Sequence, residues 1–370
     1  MLKGLSSIFK KDRREFDSFQ VEISSYSSME CQMCPRAVFA EQWIFQKMSL
    51  ETFQKIGQYF HLTRWVLLEG WGDSLENENL IQMVHLAKQA DCSTGLTTLG
   101  FHPPEELSRK LLSEDLDLLE ISLEGIPRAG QESSVIGSDF NRTLQSLEGF
   151  VDLKKKYKSK KPAVKLSFLM TRMNIRDLPQ AVPFASRLGV DEVVIRNLAY
   201  LPEERWNILR TFHHESPTPA FQESIDETHR LGKKMGVRVK SYPLKAEEVP
   251  VCEPNPPRNV FFSVDGSVAP CMYLRLPKEG DIPRTFLNDR YTVPQTSFGN
   301  IHQEDFMEIW NKEPYRNFRK IFEDRARAGM GVMQIFDAIS QGRPSGAEKE
   351  TPPPPPLSPL CRTCYKAYGI

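Results

Sequence analysis

Six short apolar runs alternate with helical patterns through the middle of the chain, and this alternation restricts the fold more than any other feature. The runs lie at residues 19–24, 64–70, 93–100, 116–125, 163–171 and 192–200. Their continuous apolar centres are typical of strands that are buried on both faces. Between them, apolar side chains recur at helical spacing, as at Phe140, Leu144, Leu147 and Val151, and again at Phe221, Ile225, Thr228 and Leu231. The pattern predicts an α/β fold with a parallel sheet, either open or curled into a partial barrel.

About six strand–helix units are fewer than the eight that close a full barrel. In parallel α/β folds of this kind, binding sites lie where the loops converge at the carboxyl ends of the strands. We therefore expect the functional residues in the loops that follow these strands.

Length and charge exclude several classes of protein. The chain has 370 residues, which allows two or three domains, and it has 48 Lys and Arg against 48 Asp and Glu. A balanced charge argues against a dedicated nucleic-acid or membrane-surface protein, and no apolar run approaches the length of a membrane span. The first residues become charged too soon for a secretory signal. We therefore predict a cytoplasmic protein with neither nucleic acid nor membrane as a partner.

Seven cysteines fall into two groups and one isolated residue. An odd number in a reducing compartment indicates metal binding or catalysis rather than disulfides. Cys31 and Cys34 follow directly on the first predicted strand, whereas Cys92, between a helix and a strand, has the character of a small buried side chain. The second group can complete a zinc or an iron–sulfur site and consists of Cys252, Cys271, Cys361 and Cys364.

Several segments of the chain carry motifs, in a fixed order. They are EISSYSSMECQMCPR (22–36), EGWGDSLEN (69–77), TTLG (97–100), ISLEG (121–125), FFSVDGSVAPC (261–271), FGNI (298–301) and MEIWNKEPYRNFRK (307–320). With these motifs the chain resembles a radical S-adenosylmethionine (SAM) protein with a C-terminal SPASM or twitch-type iron–sulfur domain. The resemblance extends from about residue 19 to residue 364.

The resemblance implies a domain organisation. An N-terminal extension (1–18) would precede a partial (β/α)6 TIM-like barrel (19–243), and a SPASM or twitch-type domain (244–370) would follow. The last domain contains an inserted segment, 322–350, which we expect to be a flexible lid or disordered. A proline-rich stretch, 351–360, is expected to be a stiff spacer or, alternatively, a docking ligand for a partner.

The resemblance also implies a cluster loop. In the family, the pattern Cys-x3-Cys-x2-Cys holds a [4Fe–4S] cluster by three thiolates and leaves one iron for SAM. Cys31 and Cys34 match the last two cysteines, and counting back four residues places Ser27 at the first. A hydroxyl is less acidic than a thiol and a harder ligand, so it binds cluster iron poorly. These three residues are the predicted catalytic group.

Residues that bind SAM follow from the other motifs. Gly70 and Gly72 would let the backbone approach SAM closely, and Ser122 and Glu124 would point toward it from a strand end. The full predicted set is Gly70, Gly72, Asp73, Thr98, Ser122 and Glu124. Two positions depart from the family: Leu99 stands where Asn is usual, and Ile136 where an Arg often meets the SAM carboxylate.

Further cofactors and partners are implied by the same resemblance. Cys252, Cys271, Cys361 and Cys364 would hold one auxiliary iron–sulfur cluster. A ferredoxin or flavodoxin would supply the electron, because a low-potential cluster needs a strong reductant. The substrate would be a peptide, a protein or a small molecule.

Three interpretations follow. The first is an oxidoreductase of the radical SAM type that cleaves SAM reductively and modifies its substrate by a 5′-deoxyadenosyl radical, with Ser27 leaving it either active or a cluster knockout. The second is a catalytically degenerate SPASM scaffold that binds a partner. The third is a zinc protein. Retention of both Cys31 and Cys34 favours the first interpretation, Leu99 and Ile136 favour the second, and the third leaves Cys31 and Cys34 unexplained.

Overall fold

A ten-stranded sheet forms the centre of the protein in the computed structural model, which describes residues 14–99, 101–123, 135–136, 140–340 and 354–370. The strands in chain order are β1 (Phe16–Val21), β2 (Glu30–Cys31), β3 (Thr63–Leu68), β4 (Ser93–Leu99), β5 (Leu118–Leu123), β6 (Val135–Ile136), β7 (Ala163–Met170), β8 (Glu192–Asn197), β9 (Arg238–Ser241), β10 (Asn259–Phe262), β11 (Ser267–Ala269), β12 (Ile282–Phe286), β13 (Asp289–Val293) and β14 (Gly299–Asn300).

Helices connect most of the parallel strands. In chain order they are α1 (Pro35–Val38), α2 (Leu50–Gly57), α3 (Leu80–Gln89), α4 (Glu105–Ser113), α5 (Phe140–Lys156), α6 (Leu178–Leu188), α7 (Pro219–Met235), α8 (Phe306–Asn311) and α9 (Glu313–Ser340). The two helical patterns found in the sequence lie within α5 and α7.

The order of strands in the large sheet is β14-β11-β10-β1-β3-β4-β5-β7-β8-β9. From β10 to β9 every neighbouring pair is parallel, whereas β11 and β14 are added in antiparallel pairing. The six predicted strands are β1, β3, β4, β5, β7 and β8, each displaced by no more than a few residues. The α/β prediction with a parallel sheet is confirmed.

The sheet extends beyond the six predicted strands on both sides. β9 pairs with β8, and β10 pairs with β1 from Ser18–Asn259 to Val21–Phe262. The predicted boundary between residues 243 and 244 therefore lies between two strands of a single sheet. β1 itself begins at Phe16, two residues before the predicted end of the N-terminal extension.

Aromatic side chains attach the C-terminal region to β1. The ring centroids of Phe16 and Trp310 are 4.7 Å apart, and those of Phe19 and Phe262 are 5.2 Å apart, both in edge-on contact. Phe306 packs against Phe16 and Phe19 as well. Edge-on aromatic pairs add to the stabilisation from buried apolar area, so α8 is fixed against the strand from which the cluster loop emerges.

The inserted segment was expected to be a lid or disordered, and the alternative of disorder was wrong as far as Ser340. Residues 322–340 continue α9, which begins at Glu313. The buried Arg325 side chain anchors the helix by donating hydrogen bonds to the carbonyl oxygens of Val249 (3.0 Å) and Pro250 (3.2 Å). A buried guanidinium must find acceptors, and these lie in the backbone that leads to Cys252. Residues 341–353 lie outside the described part of the chain.

The described end of the proline-rich stretch is packed rather than extended into solvent. Leu357 is buried among Phe318, Phe322 and Cys361, and Arg325 donates a 2.5 Å hydrogen bond to the carbonyl oxygen of Pro355. The apolar Leu357 side chain thus holds the proline-rich stretch against α9. None of the helices within the described ranges is long and apolar enough to span a membrane.

Candidate functional site

A cavity of about 560 Å³ lies inside the curled sheet. It extends to the loops at the carboxyl ends of the strands, where parallel α/β folds place their sites. It is lined by eight of the predicted catalytic and SAM-binding residues: Ser27, Cys31, Cys34, Gly70, Gly72, Asp73, Thr98 and Ser122. Glu124, the remaining predicted residue, lies outside the described residues.

The cluster loop is held by short-range hydrogen bonds. The Ser27 hydroxyl donates to the carbonyl oxygen of Met29 and accepts from the Met29 amide, both at 3.2 Å. The Cys34 amide donates to the Cys31 carbonyl at 2.9 Å, and Arg36 donates to the Met29 carbonyl. Ser27 and Cys31 are buried and Cys34 is partly buried at the start of α1. Two thiols and one hydroxyl therefore face the cavity, a set that fits a cluster only with a weak third ligand.

Residue 136 was predicted to lie near the SAM site, and its backbone lies beside the cluster loop. β6 pairs with β2 in antiparallel fashion, with Ile136 opposite Glu30 and Val135 opposite Cys31. The backbone at residue 136 therefore lies next to the cluster cysteines, although its side chain lies outside what the structure describes.

The two loop glycines are required for a reason that differs from the predicted one. A Cβ on Gly72 would lie 2.5 Å from the carbonyl oxygens of both Ser24 and Tyr26, and a Cβ on Gly70 would lie 2.4 Å from Cγ of Glu22. Such distances are far below van der Waals contact. The glycines thus let the loop after β3 pack against the loop after β1, and their backbone still borders the cavity.

Asp73 connects two of the predicted motifs. Its buried carboxylate accepts hydrogen bonds from the Thr98 hydroxyl (2.7 Å), the Leu75 amide (2.9 Å) and the Leu99 amide (3.1 Å). Burial raises the pKa of Asp73 to about 6, and these hydrogen bonds oppose that rise. The carboxylate therefore fixes the end of β4 against the loop after β3. Both Asp73 oxygens already accept hydrogen bonds from the protein.

A buried glutamate links the cluster loop to the C-terminal region. Glu22, just beyond β1, accepts hydrogen bonds from the amides of Trp71 (2.8 Å) and Val264 (3.3 Å). Burial raises its pKa to about 7. Glu22 thus joins the loop after β3 to the turn between β10 and β11.

A layer of polar side chains inside the cavity was missed from the sequence. Arg196 donates to Oε1 of Glu120 from Nε (3.0 Å) and Nη2 (2.7 Å), and to the Ser167 hydroxyl (2.9 Å). Glu69 accepts a 2.9 Å hydrogen bond from the Thr97 hydroxyl. We call these five residues the inner polar layer. The sequence did contain a signal for this layer, namely the charged residues within the apolar runs VLLEG, LLEISL and VVIRN. A charge on a buried strand needs a partner, so these residues could have been expected to pair.

The C-terminal region supplies the far wall of the same cavity. Lys366 donates a 2.9 Å hydrogen bond to Oε2 of Glu253, and Tyr273 lies beside them. Each of these residues lies close in sequence to a predicted cluster ligand. Glu253 follows Cys252 directly, Tyr273 lies two residues after Cys271, and Lys366 lies two residues after Cys364. The wall of the large cavity is therefore also the wall of the C-terminal cysteine site.

The four C-terminal cysteines line a separate, small cavity of about 20 Å³. Burial raises the pKa of the Cys252 thiol to about 12, and it raises the pKa values of Cys271 and Cys361 as well, with the neighbouring cysteines adding to the rise. Thiols in an apolar space are stable as thiolates only around a cationic centre, so four cysteines around one small cavity fit an iron–sulfur cluster by ligand type. These sulfurs are not grouped closely enough to hold a single ion, and within the described ranges no other three His, Cys, Asp or Glu side chains are either.

Cys92 takes part in neither site. Its side chain is buried, as predicted, and its thiol donates to the carbonyl oxygen of Phe60 at 3.2 Å.

Comparison with known proteins bears on both cavities. Residues 252–330 match the SPASM family, an iron–sulfur cluster-binding domain. The tungsten-containing aldehyde ferredoxin oxidoreductase cofactor-modifying protein of Pyrococcus furiosus is 24% identical over 307 residues, covering 81% of this chain and 82% of its own. The SPASM match favours iron–sulfur over zinc at the C-terminal cysteines.

Two solved structures share the fold. SuiB of Streptococcus suis bound to S-adenosylmethionine superposes with a TM-score of 0.60 and 12% identity, over 83% of this chain and 68% of SuiB. The protein anSMEcpe, bound to AdoMet and the Cp18Cys peptide, has a TM-score of 0.52 and 15% identity, over 82% of each chain. The chain thus shares the fold of these two proteins, and residues 252–330 match the SPASM domain, in agreement with the resemblance of its motifs.

Proposed function

We propose that this chain is a radical SAM enzyme that modifies a substrate held in the 560 Å³ cavity. One observation carries the proposal: the cluster loop, the loops predicted to bind SAM, the inner polar layer and residues next to the SPASM cysteines all line this cavity. The alignment of SAM with both a cluster and a substrate requires this convergence.

Cys31, Cys34 and Ser27 would hold the catalytic [4Fe–4S] cluster. When bound and reduced, such a cluster supplies the electron that cleaves SAM and releases the 5′-deoxyadenosyl radical. The protein's own contribution is a dry face, since Cys31 and Met33 pack in one apolar cluster together with Leu99 and Leu169. Exclusion of water protects a reactive intermediate from side reactions.

Ser122, on β5, and the backbone of Gly70 and Gly72 would position SAM above the inner polar layer. Asp73 would act indirectly, because its hydrogen bonds to Thr98 and the Leu99 amide fix the end of β4.

Cys252, Cys271, Cys361 and Cys364 would hold one auxiliary cluster, and a ferredoxin or flavodoxin would deliver electrons. The peptide bound by anSMEcpe supports a peptide substrate, and the cofactor-modifying relative from Pyrococcus furiosus supports a small molecule.

A second candidate function is a degenerate scaffold that binds a partner without radical chemistry. It is favoured by the Ser27 hydroxyl, whose hydrogen bonds to the Met29 backbone already close the loop. The apolar Leu99 at the end of β4 points to the same conclusion.

Ser27→Cys tests the proposal, because the two side chains are nearly equal in size and Ser27 already faces the cavity. After anaerobic reconstitution, we expect the variant to hold more iron and sulfide than the wild type. With reduced flavodoxin or dithionite, it should produce 5′-deoxyadenosine from SAM at a clearly higher rate. Ser28→Cys is the matched control, since Ser28 is exposed and should leave both measurements unchanged.

Two results would count against the proposal. Equal iron content and equal activity in Ser27→Cys and the wild type would show that Ser27 is not the missing ligand position. A variant that gains a cluster and still makes no 5′-deoxyadenosine would favour the degenerate scaffold.

A further inference from the structure

The inner polar layer lies deeper in the cavity than the residues predicted to bind SAM. Glu120 and Ser122 point into the cavity from the same face of β5, two residues apart, which corresponds to roughly 6–7 Å along a strand. Glu69 likewise comes before the Gly70–Asp73 loop on the way out of β3. The layer therefore faces the space beneath the predicted SAM site.

The cations of this region are already neutralised by the protein. Arg196 directs Nε and Nη2 to Glu120, and its Nη1 donates to the Tyr242 hydroxyl at 3.2 Å. Lys366 donates to Glu253 and lies over the Tyr242 ring, 4.7 Å from its centroid. A ligand anion would have to displace these bonds in order to reach either cation.

Glu69 differs from Glu120 and Glu253 because, unlike these two carboxylates, it has no cationic side chain as a hydrogen-bond partner in the part of the chain that the structure describes. Its hydrogen bond comes from the Thr97 hydroxyl, and within the described ranges no Lys, Arg or His side chain forms an ion pair with it. Its accessible surface faces the cavity. Burial, and secondly the charge of Glu120, raises the pKa of Glu69, while the Thr97 hydrogen bond and the charge of Arg196, which forms no ion pair with it, oppose the rise.

The net charge of the side chains that line the cavity also indicates an unpaired carboxylate. The lining contains four carboxylates and three cationic side chains, so one negative charge is unbalanced. A buried, unbalanced carboxylate favours a ligand that brings a positive charge and N–H donors.

We propose that Glu69 binds a cationic nitrogen group of the substrate, an ammonium or an amidinium, in the inner polar layer. The inference rests on the proposed function in so far as SAM takes the outer part of the cavity. It restricts the substrate, whether peptide or small molecule, to one with a cationic nitrogen group close to the reacting carbon.

A pair of small probes of nearly the same shape tests the inference. Benzylamine is cationic at pH 7.5 and benzyl alcohol is neutral, and their affinities for the full, reconstituted chain in the presence of SAM are measured by ligand-observed NMR titration. We expect benzylamine to bind at least about tenfold more tightly, the factor expected for a desolvated charge-assisted hydrogen bond. Glu69→Gln should abolish this preference, Glu69→Asp should retain part of it, and Glu106→Gln, on the exposed face of α4, should leave it unchanged.

The possible outcomes are distinct. Equal affinities for the two probes in the wild type would overturn the inference, even if Glu69→Gln did not fold. A loss of SAM affinity in Glu69→Gln, measured by calorimetry, would overturn it too, since Glu69 would then belong to the SAM site. If the wild type prefers benzylamine through Glu69 and yet makes no 5′-deoxyadenosine, the inference stands and the proposed function fails.

Discussion

The loop of Ser27, Cys31 and Cys34 and the set of four C-terminal cysteines place their ligands in opposite surroundings. The first offers two thiols and a hydroxyl at the edge of a cavity of about 560 Å³, and the second encloses about 20 Å³ with four thiols. A cluster with all its ligands supplied by the protein can be fully enclosed. A cluster with one open coordination position needs space beside it for the molecule that binds there. Under the proposed function, the closed site would store or transfer electrons and the open site would carry out the chemistry.

The largest effect is expected from breaking the closed site. Because Ser27 is a weak ligand, most of the firmly bound iron of the wild type should lie at the C-terminal cysteines. Cys271→Ala should therefore remove most of the iron and sulfide, and Cys31→Ala should remove much less, as measured by metal and sulfide analysis after anaerobic reconstitution.

Cys92→Ala is the matched control, because Cys92 is a buried thiol outside both sites and its loss should leave the iron content unchanged. Equal losses of iron in the Cys271 and Cys31 variants would contradict the comparison.

An intermediate effect is expected from crowding the open site. Gly72→Ala would place a Cβ 2.5 Å from two carbonyl oxygens, so the loops after β1 and β3 must separate. Overpacking of this kind costs about 1–3 kcal/mol in the free energy of unfolding. Calorimetry should also show weaker SAM binding, because Asp73 follows directly and its amide donates to the Tyr26 carbonyl at 2.8 Å.

Gly149→Ala provides the control for this change. Gly149 lies in α5 with no atom within 4 Å of the added Cβ, so alanine should stabilise the helix by about 0.5–1 kcal/mol. If both variants have the same urea midpoint, the close packing at Gly72 does not matter for stability.

A further effect, which appears only as the pH changes, concerns Glu22, the residue that connects the two regions. Its folded pKa of about 7 exceeds the ordinary value of 4.5, so between pH 4.5 and 7 the folded state holds a proton that the unfolded state has released. Stability from this group is therefore lost as the pH rises through this window, and the loss reaches about 3 kcal/mol above pH 7. Glu22→Gln should remove this decline.

Urea midpoints measured from pH 5 to pH 8 check the prediction. The wild type should become less stable over this range by a larger amount than Glu22→Gln, and Glu106→Gln, an exposed substitution, should follow the wild type. Parallel curves for the wild type and Glu22→Gln would mean that Glu22 is ionised in the folded protein across the whole range.

Local patterns were enough to predict the strands β1, β3, β4, β5, β7 and β8 and the meeting of the cluster and SAM motifs. The pairing of β1 with β10 could not be predicted in this way, because it joins residues far apart in sequence and no local pattern specifies the partner of a strand. The need for glycine at residue 72 was expected, but its cause was not, since the cause is the backbone of Ser24 and Tyr26.

The inner polar layer shows a further limit. Glu69, Glu120 and Arg196 each lie in an apolar run, which made their strands recognisable and drew attention away from the charges. Only the register of the sheet shows that these charges face the same cavity, and only the hydrogen bonds of Arg196 show that it pairs with Glu120 rather than with Glu69.

The parallel pairing of β1 with β10 has a consequence for how the protein is made. The hydrogen bond from the Ser18 amide to the Asn259 side chain spans 241 residues of sequence. During translation, one edge of β1 must therefore remain unpaired until the ribosome has released the chain past residue 262. An exposed strand edge invites pairing with other chains, so the nascent N-terminal half is exposed to aggregation until β10 has been made.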